Sequence, residues 1–154
     1  LGLLQLQLKA RWIRMQKVLF VCVHNSARSQ MAEAYLRKYG AKRFIAESAG
    51  LEPGEINPLV VEVMKEEGID LSHKRTSSVY EFYKEGRSYD FVITVCGKDA
   101  AERCPIFPGG GRHLHWPFDD PSKAAGTHGE KLSEVRRIRD EIRLKVQSFL
   151  GSLG

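Results

Sequence analysis

Apolar residues, half of them β-branched, fill positions 18–23 without a break, and polar residues bound the run. A short run of this kind predicts a strand buried on both faces. The period then changes. Met31, Ala32, Tyr35, Leu36 and Tyr39 fall at helical spacing, which predicts a helix over 29–39 with Gly40 as its stop. Residues 43–47 predict a short strand, and Ser48, Ala49 and Gly50 a turn. A second helix is predicted over 57–67. Asn57 suits its cap and Pro58 its first turn, Val60, Val61 and Met64 face inward, and Gly68 ends it. Strands are predicted over 91–95, leading into Cys96, and over 112–116. The longest helix is predicted over 130–150, where Leu132, Val135, Ile138, Ile142, Val146 and Phe149 form one stripe.

Strand and helix alternate, which implies an α/β domain with a parallel sheet and helices on both faces. Ligands of such sheets bind beyond the carboxyl ends of the strands. Cys22 and Cys96 both fall at such ends. The chain of 154 residues suits one domain. Residues 1–14 mix leucine with glutamine and basic residues and show no cleavage-site pattern. They are expected to be an extension outside a core domain of residues 15–154.

Apolar residues make up 42% and charged residues 28%, so the composition is that of a folded globular protein. No apolar run is long enough to cross a membrane as a helix. The net charge of +5 favours anionic partners, but Arg136, Arg137 and Arg139 alternate with acids and apolar residues. That arrangement reads as a solvated helix face rather than a nucleic-acid patch. Three cysteines is an odd count, which argues against a disulfide framework. The thiols are then reactive, metal-binding or simply buried, in a reducing, cytoplasmic compartment.

Cys22 and Arg28 bracket a loop between a strand and a helix. Val23, His24, Asn25, Ser26 and Ala27 let backbone N–H groups turn inward, and the amides at the helix start complete an anion cradle. Arg28 can grip two oxygens of a tetrahedral oxyanion with its planar fork. The same positive field favours the thiolate of Cys22. Ser29 can donate to that sulfur, Asn25 can brace the loop, and His24 either contacts substrate or shapes the mouth. The plain alternative is a buried cysteine with a packing role. Asp120, followed by Pro121, is a candidate general acid, with a simple turn as its alternative.

The segment CVHNSARSQMAEAYL resembles the loop of low-molecular-weight protein tyrosine phosphatases and, more closely, of the related thioredoxin-coupled arsenate reductases. The resemblance runs on through ESAG, NPLVVEVMKEEGIDLS, DFVITVCGKDAAERCPIFPG, HWPFDDP and EVRRIRDEI. It implies a single α/β domain with a four-stranded parallel sheet in the order 2-1-3-4. It also implies that Asp120 protonates the departing oxygen. In the reductase branch Cys22 attacks arsenate, Cys96 attacks Cys22, and Cys104 takes over the disulfide for thioredoxin to reduce. Arsenate is then the substrate, phosphate or sulfate compete, electrons come from thioredoxin without a bound cofactor or metal, and a monomer is expected. The runner-up is a phosphatase working through phospho-Cys22, and a further alternative is an oxyanion-binding module without turnover.

Neighbouring strands would bring Cys22 and Cys96 to about 5 Å, within disulfide range. Residues 97–103 are rich in helix formers. In a helix, the ends Cys96 and Cys104 would lie about 12 Å apart. A bond between them therefore requires unwinding, and 97–108 is expected to be a redox-controlled switch. Seven residues separate these cysteines, one more than in better-known reductases. Some reductases bind potassium through residues matching Asn25, Glu33 and Ser48 plus an aspartate, and here Thr76, Ser77 and Ser78 lack that acid. Cys96, Cys104, His113 and His115 match no ordinary zinc spacing. Ser122 and Lys123 follow Asp120-Pro121, where phosphatases place aromatic residues.

Overall fold

Strand β1 (Gln16–Cys22) is the centre of the fold, and Val18 through Val21 have no exposed surface. Burial on both faces requires layers on both sides, and alternate residues supply them. Val18, Phe20 and Cys22 join one apolar cluster, while Leu19 and Val21 join another with Ala49, Val79, Phe82, Tyr89, Val92 and Phe107. The structure, a computed structural model, describes residues 2–4, 15–97, 104–109 and 111–153. The predicted extension lies mostly outside these residues, and so do 98–103, half of the expected switch.

After β1 come α1 (Arg28–Gly40), β2 (Phe44–Gly50), α2 (Pro58–Lys65), α3 (Val79–Lys84), β3 (Phe91–Thr94), β4 (Arg112–His115), a 3-10 turn (Pro121–Lys123) and α4 (His128–Ser152). The strands form one parallel sheet in the order β2-β1-β3-β4, as expected. Among the described residues no helix is long and apolar enough to cross a membrane.

Three local features depart from the sequence reading. Ser48, Ala49 and Gly50 belong to β2 rather than to a turn, and Gly50 pairs with Cys22. Small residues suggest a turn, but here they are buried strand positions that let the next loop approach. Helix α3 has six residues, too few to show a helical period, and Ser78 caps it. Val61 is half-buried, and Val63 takes the inward place beside Val60 and Met64. The expected caps are present: Asn57 Oδ1 accepts from Leu59 N at 2.9 Å, and Gly68 ends α2 with a φ of 75°. Thr127 and Glu130 form a capping box at α4.

Helices α1, α2 and α4 cover one face of the sheet. Arg139 of α4 donates to Val63 O and Glu66, and Arg136 also grips Glu66. These arginine bonds hold the Glu66 carboxyl at about 2, well below the usual carboxylate range. Burial and the neighbouring Glu67 push the Tyr35 phenol upward. Trp116 packs on Phe20 and Phe149, so the chain leaving β4 is anchored before it reaches Asp120.

Candidate active site

The loop 23–27 leaves β1 and folds over the end of β2. Its carbonyls are taken up from outside: Leu51 N bonds to Cys22 O (3.3 Å), Glu52 N to Val23 O (2.8 Å), Gly54 N to His24 O (3.0 Å) and Asn57 N to Ser26 O (2.9 Å). With those oxygens turned outward, loop N–H groups can turn inward. Asn25 N accordingly points to Cys22 Sγ at 3.2 Å. Asn25 adopts a φ of 54°, the left-handed region that asparagine tolerates better than most residues. Ala27 caps α1 without a side-chain bond, so the first amides of the helix are not consumed by a capping oxygen.

Gly50 fits this loop closely. A Cβ there would lie 2.7 Å from both Asn25 N and Val23 O, and 2.9 Å from His24 C. Backbone atoms cannot swing aside as a side chain can. Gly50→Ala is expected to destabilise the protein by about 1–3 kcal/mol and to weaken phosphate binding. Denaturant unfolding and protection of Cys22 from alkylation by phosphate check both effects. Unchanged values in both would mean that the loop yields freely.

Cys22 is 3% exposed and its thiol is free. Its sulfur lies 2.8 Å from Ser29 Oγ. Ser29 Oγ also accepts from Asn25 Nδ2 at 2.8 Å, which leaves the serine hydrogen to donate to the sulfur. Arg28 is buried at the head of α1 and donates from Nη1 to Phe118 O at 3.1 Å. Its Nη2 lies 3.9 Å from Asp120 Oδ2. One guanidinium thus joins the anion loop to the segment that carries the candidate acid. Asp120 Oδ1 caps the 3-10 turn through Ser122 N at 2.9 Å. Asp119 points elsewhere, to Arg137 of α4 at 2.9 Å. His24 is exposed and bonds through Nδ1 to Glu52 O.

The other two cysteines sit beside this site. Val21 pairs with Thr94, so continuing the register sets Cys22 opposite Val95, with Cys96 one residue further. Cys96 is 1% exposed and Cys104 is half-buried. They are bonded to each other, with Cα atoms 5.9 Å apart. That is about half the separation a continuous helix between them would impose. Phe107, three residues beyond Cys104, is buried against Tyr83 and Tyr89.

Several residues weighed as zinc or potassium ligands are paired within the protein. His113 and His115 are on β4, and His115 bonds to Thr94. Glu33 Oε1 accepts from Ser48 Oγ at 2.8 Å, and Glu33 Oε2 lies 3.0 Å from the ammonium of Lys74. Asn25 Oδ1 accepts from Gln30 Nε2 and Ser77 N. Gln30, Lys74 and the Ser77 amide went unnoticed in the sequence because polar residues at a helix start and in a loop read as solvated. Beside the mouth, a cleft of about 360 Å³ runs between Ser26, Glu55, Leu59, Pro121, Ser122 and Lys131, and among the described residues no aromatic side chain lines it.

The family model for low molecular weight phosphotyrosine protein phosphatase matches residues 17–154. The chain is 42% identical over 132 residues to a protein named arsenate reductase from Halalkalibacterium halodurans, covering 86% of this chain and 93% of that protein. It is equally similar, with the same coverage, to a protein of that name from Bacillus subtilis. Among solved structures, one described as an arsenate reductase in the phosphate binding state superposes with a TM-score of 0.74 at 31% identity, over 91% of this chain and all of that one. The Corynebacterium glutamicum thioredoxin-dependent arsenate reductase gives a TM-score of 0.56 at 28% identity, over 95% of this chain and 72% of that one.

Proposed function

The chain belongs to the low molecular weight phosphotyrosine protein phosphatase family, and from that premise we propose that it reduces arsenate to arsenite with electrons passed from thioredoxin. The observation that carries this reading is the Cys96–Cys104 bond at the end of the strand next to Cys22. A phosphatase needs only one thiol, whereas a two-electron reduction needs a partner thiol to form a disulfide.

The Cys22 thiolate attacks arsenic, and a hydroxide departs as water with the proton of Asp120. Arg28 and the loop amides hold the remaining oxygens. The thiolate of Cys96 then attacks Cys22 Sγ. The electron pair of the sulfur–arsenic bond stays on arsenic, which leaves as arsenite, and a Cys22–Cys96 disulfide forms. Cys104 attacks Cys96 Sγ, releases the Cys22 thiolate and forms the Cys96–Cys104 disulfide. A thioredoxin dithiol reduces that bond and restores all three thiols. The described lining of the cleft beside Pro121, with serine, proline, leucine and charged side chains, further favours a small inorganic oxyanion over a tyrosine side chain.

The test is an assay with thioredoxin, thioredoxin reductase and NADPH. Arsenate is expected to drive NADPH oxidation over many turnovers, with phosphate as a competitor. Aryl phosphate hydrolysis without arsenate-dependent NADPH oxidation would make the protein a phosphatase. Phosphate binding with neither activity would make it an oxyanion-binding module.

A further inference from the structure

Gln30 lies in the first turn of α1 with no exposed surface, and the relay gives it no task. Its Nε2 donates to Asn25 O at 3.1 Å, Asn25 Oδ1 at 2.9 Å and Arg75 O at 3.2 Å. Three oxygens around one nitrogen fix the orientation of the amide, because the reverse would set Oε1 against three acceptors. Among the described residues, Oε1 itself has no hydrogen-bond partner in the protein. An apolar side chain of the same length would fill this space without burying that oxygen. The amide therefore serves through its donors rather than its volume.

Those donors set the direction of a chain that ends on sulfur. Asn25 Oδ1 is held by Gln30 Nε2 and by Ser77 N at 2.8 Å. With the oxygen end held there, the nitrogen end faces Ser29, and Nδ2 donates to Ser29 Oγ. Ser29 has then accepted, and its own hydrogen goes to Cys22 Sγ. The backbone N–H of Asn25 is a second donor to the same sulfur. Gln30 also holds Asn25 O, and so supports the left-handed turn that aims this N–H.

We propose that Gln30 is a positioning residue for Cys22. It locks Asn25 so that Asn25 and Ser29 both point hydrogens at the sulfur, where they hold and orient the nucleophile. The inference rests on Cys22 as the nucleophile of the proposed reaction, but not on arsenic as its target. The charged and titratable groups at this loop, Arg28, His24 and Asp120, are unchanged in the variants that test it.

The test keeps the Cys96–Cys104 disulfide intact, so iodoacetamide reports on Cys22, and follows alkylation across pH. In Gln30→Met the neutral-pH rate is expected to fall about fivefold, the worth of one hydrogen bond. The whole profile should move to higher pH with its alkaline plateau retained. In a Ser29→Ala background the same substitution should change the rate less than it does in the wild type, since the Ser29 branch is already cut and only the Asn25 N–H branch remains. Gln30→Asn, with a shorter reach, is expected to shift the profile in the same direction and carries the test where the methionine variant fails to fold. A profile unmoved by either variant, even with a lower melting temperature, would reduce Gln30 to a packing residue. Failure of both variants to fold would do the same. Arsenate is absent throughout, so a wild type that reduces no arsenate leaves this result standing. A wild-type Cys22 that is unreactive at every pH would instead remove the nucleophile reading itself.

Discussion

Cys104→Ser is expected to turn the enzyme into a single-use reagent that releases about one arsenite per chain and then stops. Attack by Cys22 and resolution by Cys96 need nothing from residue 104, so the first turnover proceeds. It leaves a Cys22–Cys96 disulfide between residues that are 3% and 1% exposed. An external dithiol must reach a sulfur in line with the bond it breaks, and neither of these is open to such an approach. Cys104 is half-buried and is the only one of the three with substantial exposure. The check is a burst assay combined with mass spectrometry of the unreduced variant. A product two hydrogens lighter, with Cys22 and Cys96 linked, is the expected species. Full multiple turnover would end the relay hypothesis and leave Cys96 as the residue that faces the reductant.

Arg28→Lys is expected to lower kcat by about 10²- to 10³-fold, in the range seen when one oxyanion-stabilising donor is removed. An ammonium keeps the charge but loses the planar pair of donors. It also cannot reach Phe118 O and the neighbourhood of Asp120 together, as the two ends of the guanidinium do. The loss should fall on turnover more than on the melting temperature, and inhibition by phosphate should weaken in parallel. If stability collapses while the surviving folded fraction keeps its rate, Arg28 is a tie between two segments and not an oxyanion ligand.

Most of the framework was legible because burial leaves a period in the sequence. The unbroken apolar run of β1, the helical stripe of α4 and the Asn57-Pro58 start of α2 each express a single local rule. The candidate site was legible where chemistry and spacing coincide, as in the strand–loop–helix placement of Cys22 and Arg28. What escaped depends on tertiary contact. Gly50 is a strand residue because a loop packs on it, and no local rule says that the loop will arrive. Gln30 is a polar residue in the first turn of a helix, where solvent is the ordinary partner, yet it is buried by the segment around Arg75. Helix α3 depends on its Ser78 cap and on Val79 and Phe82 reaching the second apolar cluster, not on six residues of pattern.

The bonded pair Cys96–Cys104 coexists with a free Cys22 whose loop is fully formed. In the proposed cycle the oxidising equivalents are thus parked outside the oxyanion cradle, on a pair that leaves Cys22 free. Loading of the next substrate and recharging by the reductant then fall to different residues, the loop at Cys22 for one and the half-buried Cys104 for the other. In that cycle oxyanion binding does not need the disulfide to be reduced first, whereas the next attack by Cys96 does.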